Sequence, residues 1–145
     1  MKTETMRHRV RLLAIVTLAT CAFTAAASAQ SFTGKFTLPY EVHWGAVVLP
    51  AGDYSITMES SSVPALVSSA NGETTMFTTM PIAANSEKGA ASILISVRGD
   101  ERTVRSLNLP QYGASLIYKP FTKAERELLA KGGQLQTVPV FAAKK

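Results

Sequence analysis

The chain of 145 residues has little of the chemistry that catalysis and metal binding use. It holds one cysteine, Cys21, and two histidines, and only His43 lies beyond the first 29 residues. Residues 30–145 therefore have no cysteine for a disulfide and too few ligands for a metal site of the histidine and cysteine type. Serines are the only nucleophiles available to His43. We predict no catalytic residue, no cofactor and no metal site.

Net charge is also small once the N-terminus is set apart. Four of the 15 basic and one of the 10 acidic residues lie in the first 29 positions, which leaves 11 and 9, a net charge of +2. Such a small excess does not favour nucleic-acid binding, so nucleic acid is not an expected partner.

The first 29 residues have the pattern of a secretory signal peptide. Basic residues precede an uncharged run from Leu12, which ends with the small residues Ala27-Ser28-Ala29. A membrane anchor is the alternative, but the second half of the run is rich in Ala, Ser and Thr. We expect cleavage after Ala29, no transmembrane span after processing, and export to the periplasm or the extracellular space.

Cys21 raises the alternative of a lipid anchor. The residue before a lipoprotein cysteine is normally Gly, Ala or Ser, and here it is Thr20. We therefore expect no lipid on Cys21. The length of residues 30–145 predicts a single β domain.

An alternating pattern dominates the region after the signal peptide. The even positions from Phe36 to Val48 are apolar or aromatic, and they resume as Tyr54, Ile56 and Met58. A three-residue loop at 50–52 would join the two runs as a hairpin. In that register Val48 faces Tyr54, Trp44 faces Met58, and His43 faces Glu59 on the polar side.

Further turn signals divide the rest of the chain. Asn71-Gly72 predicts a hairpin that opposes Val67 to Met76. Residues 81–89 are predicted as a loop. A three-residue loop at 99–101 would oppose Ile93 to Leu107. A capping box of Thr122 and Glu125 predicts one short helix, which ends at Gly132-Gly133.

Two groups of residues are candidates for binding. Tyr40, Trp44 and Tyr54 would line a ligand cavity if the sheet closes into a barrel, although aromatic residues at strand spacing are also typical of a plain core. His43 and Glu59 form a candidate polar surface pair, whose simplest interpretation is a solvated contact.

The motifs Phe36-Thr37-Leu38-Pro39-Tyr40, Trp44-Gly45 and Leu49-Pro50-Ala51-Gly52-Asp53-Tyr54 resemble those of a family of small secreted proteins, mostly from acidobacterial genomes. The similarity is tightest over residues 36–58. It implies a secreted β domain and nothing catalytic.

We predict an all-β fold, a small antiparallel β-sandwich or partly closed β-barrel of seven or eight strands with one short C-terminal helix. The expected function is non-enzymatic binding or a structural role in the periplasm or at the cell surface, with an envelope or extracellular partner. Two alternatives remain open. One is a small barrel that carries an apolar ligand, and the other is an envelope-directed hydrolase that uses His43.

Overall fold

The first strand begins at Phe32, four residues before the alternation that the sequence predicts from Phe36. The computed structural model describes residues 31–60 and 62–143, so the predicted signal peptide and Cys21 lie outside the described residues. The strands are β1 (Phe32–Leu38), β2 (Val42–Trp44), β3 (Val47–Leu49), β4 (Gly52–Met58), β5 (Leu66–Ser69), β6 (Thr75–Phe77), β7 (Ile82–Asn85), β8 (Ser92–Arg98), β9 (Glu101–Leu109), β10 (Ala114–Ile117), β11 (Gln134–Pro139) and β12 (Phe141–Ala142). One helix, α1 (Lys123–Ala130), follows β10.

The described strands form two sheets. Sheet I has the order β12-β1-β4-β5-β6, and sheet II has the order β11-β8-β9-β10-β7, with β2 and β3 attached beside β9. The strand pairs are antiparallel except for a parallel bridge between His43 and Thr103. The fold is therefore the small all-β sandwich with one helix, and the described strands do not close into one barrel.

The strand count exceeds seven or eight because one long predicted strand is divided into β1, β2 and β3, and because β7 and β12 are additional short strands. Pro39 cannot donate to a ladder, and β1 ends just before it. Gly45 turns the chain with φ +63°, which separates β2 from β3. The even positions of β1, β2 and β4 still point inward, as the alternation predicts.

The hairpin predicted at Leu49–Tyr54 is wrong. β3 pairs with β2, whereas β4 pairs with β1, so Tyr54 faces Phe36 instead of Val48. Val48 is 43% exposed, outside the core that the prediction gave it. The stretch is a corner at which the chain leaves sheet II and enters sheet I. Gly52 has φ +154° there, and the Tyr54 hydroxyl donates a hydrogen bond of 2.8 Å to the carbonyl of Pro50.

The other two predicted hairpins fare better. Val67 faces Met76 across the Asn71-Gly72 turn, as predicted. Ile93 faces Leu107, also as predicted, but the turn has two residues instead of three. A β-bulge opposite Leu94 and Ile95 restores the register and leaves Arg105 as the extra residue of β9.

Two further predictions concern the elements that surround sheet II. Residues 81–89 do not form only a loop, because β7 pairs with β10 along its full length. The helix α1 begins with the predicted capping box of Thr122 and Glu125.

Within residues 31–60 and 62–143, no helix has the length and apolar content needed to cross a membrane.

Candidate functional site

Trp44 and Tyr54, two of the three candidate ligand-lining residues, are core residues. Phe36 stacks on Tyr54 with 5.6 Å between ring centroids, and its ring also lies 6.2 Å from Trp44. Trp44 in turn meets Tyr118 edge-on at 5.2 Å. Burial raises the pKa of the Tyr54 phenol. A carried apolar ligand would have to displace rings that already pack on one another.

Tyr40, the third candidate, is only partly buried and packs against the same core. Its hydroxyl donates to the side-chain carbonyl of Gln136, and its ring carries the Arg102 guanidinium at 4.3 Å from the centroid. Burial raises the pKa of Tyr40, and the positive charge of Arg102 opposes that shift. Tyr40 therefore links β9 and β11 to the loop between β1 and β2.

His43 and Glu59 do not face each other across a strand pair. His43 lies in β2 and pairs with Val48 and Thr103 in sheet II. Glu59 follows β4, whose last residue Met58 pairs with Phe32 in sheet I. The predicted pair fails because it depended on the hairpin register that the structure replaces. Among the described residues, no three His, Cys, Asp or Glu side chains cluster as a metal site would require.

A groove lies on the outer face of sheet I. It encloses about 520 Å³ and runs across β12, β1, β4 and the end of β5. The side chains that give it chemical character are Lys35, Thr37, Asp53, Ser55, Ser69 and Phe141. We call this feature the sheet I groove.

Phe141 forms one side of the sheet I groove and is 69% exposed. It pairs with Lys35 across β12 and β1. The backbone on either side is fixed, because the Val140 N–H donates to Ala91 at 2.9 Å and the Ala143 N–H donates to Thr33 at 2.9 Å. The backbone that carries this exposed aromatic ring is thus fixed, while the ring itself lies outside the core.

The opposite side of the sheet I groove is polar. The Thr37 hydroxyl donates to one carboxylate oxygen of Asp53 at 2.6 Å, which orients that carboxylate. Thr37 and Asp53 also face each other in the β1–β4 ladder, as do Lys35 and Ser55. A positive charge, a negative charge and hydroxyls therefore stand on one rigid pleated face.

These side chains determine which kind of ligand suits the sheet I groove. The aromatic ring offers an apolar contact, the carboxylate accepts hydrogen bonds, and the lysine and hydroxyl groups donate them. The opposite charges of Lys35 and Asp53 suit a ligand with many polar groups and no large net charge. Such a combination of an apolar contact and few placed polar groups is typical of binding sites.

A second polar cluster fixes α1 against sheet II. Arg105, 6% exposed, donates from Nη2 to Glu125 Oε1 at 2.7 Å and from Nε to the Ser96 hydroxyl at 2.7 Å. Its guanidinium lies 4.6 Å from the centroid of the Phe121 ring. The hydrogen bonds from Arg105, and next the Thr122 N–H, lower the pKa of Glu125 to about 2. This cluster orients the helix and is saturated by its own partners.

Sequence reasoning missed both the sheet I groove and the Arg105 cluster. Phe141 reads as the end of a last strand, and the polar odd positions of β1 and β4 read as a solvated face. Arg105 reaches the helix only because of the bulge, for which the sequence carries no turn signal. The Thr122–Glu125 capping box is the one part of either feature that the sequence announces.

No family model, curated protein or solved structure matches this chain. Function therefore has to be inferred from the geometry of its own surfaces.

Proposed function

We propose that the protein is an exported, non-enzymatic binding domain that holds a neutral polysaccharide strand in the sheet I groove. The predicted signal peptide supports export to the periplasm or cell surface. The scarcity of histidine and cysteine supports a role in binding rather than catalysis. Envelope and extracellular polysaccharides are abundant in both places, so the proposed ligand is one that an exported domain meets.

The observation that carries the proposal is the position of Phe141. A sugar ring has a face of C–H groups that packs on an aromatic ring, while its rim of hydroxyls needs hydrogen-bond partners. In the sheet I groove the ring of Phe141 stands beside Lys35, and the oriented carboxylate of Asp53 lies across the same groove. Ser55 faces Lys35 from β4 and adds a hydroxyl on the same face.

The shape of the groove supports a chain rather than a single small molecule. It is open to solvent along the outer face of sheet I, so a ligand would enter sideways and extend past both ends. An open site holds each sugar weakly, and several contacts along a strand together give useful affinity.

The test uses the full chain, expressed with its own leader and purified from the exported fraction. Sequencing the N-terminus of the product checks cleavage after Ala29. Affinity electrophoresis in gels that contain hydroxyethyl cellulose, laminarin or galactomannan then measures retardation by each polysaccharide. We expect retardation by at least one of the three, and we expect Phe141→Ala to weaken it at least about tenfold, as truncation of a central aromatic contact does.

Phe77→Ala is the matched control. Phe77 is 72% exposed and also lies on sheet I, but in the opposite edge strand, β6. Both variants remove the same ring from a similarly exposed place, so equal weakening would mean a general loss of surface apolarity and would overturn the proposal. Absence of retardation in all three gels would overturn it as well. Asp53→Asn should weaken binding without changing the circular dichroism spectrum.

A further inference from the structure

β7 is an edge strand without the usual protection. It ends sheet II on the side opposite β11, and all four of its residues are exposed. Natural edge strands are normally kept short, charged or broken by proline, because their free backbone groups pair with other strands. The strand Ile82-Ala83-Ala84-Asn85 carries no charge and no proline, and Pro81, which precedes it, lies outside the residues that pair with β10. No charged residue occurs anywhere from Thr74 to Ser86.

The other edges are better protected. β12 has two residues, and β3 and β6 have three each. β11 is longer but ends in Pro139, which has no N–H to offer a partner. β7 is therefore the edge at which a further strand meets the least resistance.

The backbone groups of β7 that face outward can be assigned. The Ser86 N–H donates to the carbonyl of Gly113 on the β10 side at 3.3 Å. Backbone groups alternate in direction along an antiparallel strand, so Ala84 and Ile82 also face β10. The N–H and C=O groups of Ala83 and Asn85 consequently point away from the sheet.

We infer that β7 pairs with β7 of a second copy of this chain, antiparallel, about a two-fold axis that passes beside Ala84. In this register Ala83 faces Asn85 of the second copy, and Asn85 faces its Ala83. The two outward pairs exchange four N–H···O=C hydrogen bonds. The Ala84 residues of the two copies meet as a pair without hydrogen bonds, where backbones approach most closely and a small side chain fits.

Charge and symmetry favour a second copy as the occupant. In a two-fold contact the same edge meets itself, so a charge close to the axis would face a like charge, and this edge has none from Thr74 to Ser86. The flanking side chains are apolar, since Met80 is 57% and Ile82 is 61% exposed. Strand pairing stops at two copies, because the outer edges of the joined sheets are the two β11 strands, each of which ends in Pro139.

The test measures self-association of the exported full chain by sedimentation velocity over a range of concentrations. We expect a reversible dimer. Ile82→Lys should raise its dissociation constant at least about tenfold, because it gives the edge a charged side chain, the protection that natural edge strands use. Leu135→Lys is the matched control, since Leu135 is 45% exposed and lies in the other edge strand of the same sheet. It should leave dimerisation unchanged.

A second variant guards against loss of folding in the first. Ala83→Pro removes an outward N–H that makes no bond to β10, so the sheet stays intact while one bond across the dimer is lost. Amide exchange adds a readout that a structural effect would not give, because the Ala83 and Asn85 amides should become protected as concentration rises.

A chain that stays monomeric, or a dimer that survives both β7 variants, would overturn the inference. So would a dimer that Leu135→Lys abolishes. Polysaccharide retardation of the Ile82→Lys variant would show that groove binding is separate from pairing.

Discussion

Two kinds of turn join the strands of this protein, and they differ in how far their sequence specifies them. The Asn71-Gly72 turn connects strands that pair with each other, and its register follows from the residues on either side. The Leu49–Tyr54 corner connects strands in different sheets, although its flanking residues alternate just as regularly. Alternation reports which face of a strand is buried, but it does not name the partner strand.

The partner of β4 is decided by distant residues. β1 offers β4 a continuous ladder from Phe32 opposite Met58 to Leu38 opposite Gly52. β3 offers only three residues, because the Gly45 turn lies just ahead of it in the chain. The longer ladder buries more apolar surface and satisfies more backbone groups, so it is the one that forms. The corner is then held by tertiary contacts, whereas a side chain added at Gly72 of the hairpin tip would meet nothing within 4 Å.

The largest expected effect breaks the corner. Gly52→Val forces a β-branched residue to φ +154°, in a corner whose two ends are fixed by different sheets. We expect the free energy of unfolding to fall by about 3 kcal/mol. Urea denaturation of purified protein, followed by circular dichroism, measures it.

Gly72→Val provides the comparison at a hairpin tip. Gly72 has φ +77°, and a Cβ there would meet no atom within 4 Å. The tip can relax, so we expect a loss of about 1 kcal/mol. If both valine variants cost the same, the corner is no more constrained than the hairpin.

A smaller effect is expected from the hydrogen bond that closes the corner. Tyr54→Phe removes the part-buried bond to the Pro50 carbonyl and leaves the ring in the core. The loss should be about 1 kcal/mol. Tyr112→Phe removes a similar bond, of 3.0 Å to the Ser31 carbonyl, from an exposed position. Water replaces the hydroxyl there, so a loss under about 0.5 kcal/mol is expected. An equal loss in both variants would argue against a special role for the corner bond.

The same division explains how much the sequence reveals. Elements specified by neighbouring residues are predicted correctly, namely the Asn71-Gly72 hairpin and the helix with its Thr122–Glu125 capping box. The all-β class follows from sustained alternation. The partner of Tyr54 depends on residues 18 positions away, and the bulge at Arg105 depends on the packing of the whole sheet. Neither has a local signal.

The sheet I groove escapes prediction for the same reason. Phe141 meets Lys35 only because β11 and β12 belong to different sheets, with Val140 buried at the change. Gly34 permits that passage, since a Cβ on it would lie 2.7 Å from a methyl carbon of Val140. Sequence reasoning instead selected Tyr40, Trp44 and Tyr54. The latter two are inward-facing aromatics, which strand alternation picks out most readily.

The smallest effect is expected at the helix, where a local capping box meets a tertiary ion pair. The Glu125 carboxylate is partly exposed, and solvent screens its pair with Arg105. Its pKa is lowered to about 2 in the folded protein, from an ordinary value near 4.5. A group with a lowered folded pKa contributes its full stabilisation above the unfolded pKa and loses it as pH falls. Stability should therefore decline between about pH 4.5 and pH 2, and Glu125→Gln should remove that part of the decline.

Glu127→Gln is the matched control, because Glu127 lies in the same helix and forms no ion pair among the described residues. It should leave the pH profile as in the unmodified chain. If both variants keep the same profile, the ion pair adds nothing to the capping box, and the helix is specified as locally as the hairpin tip.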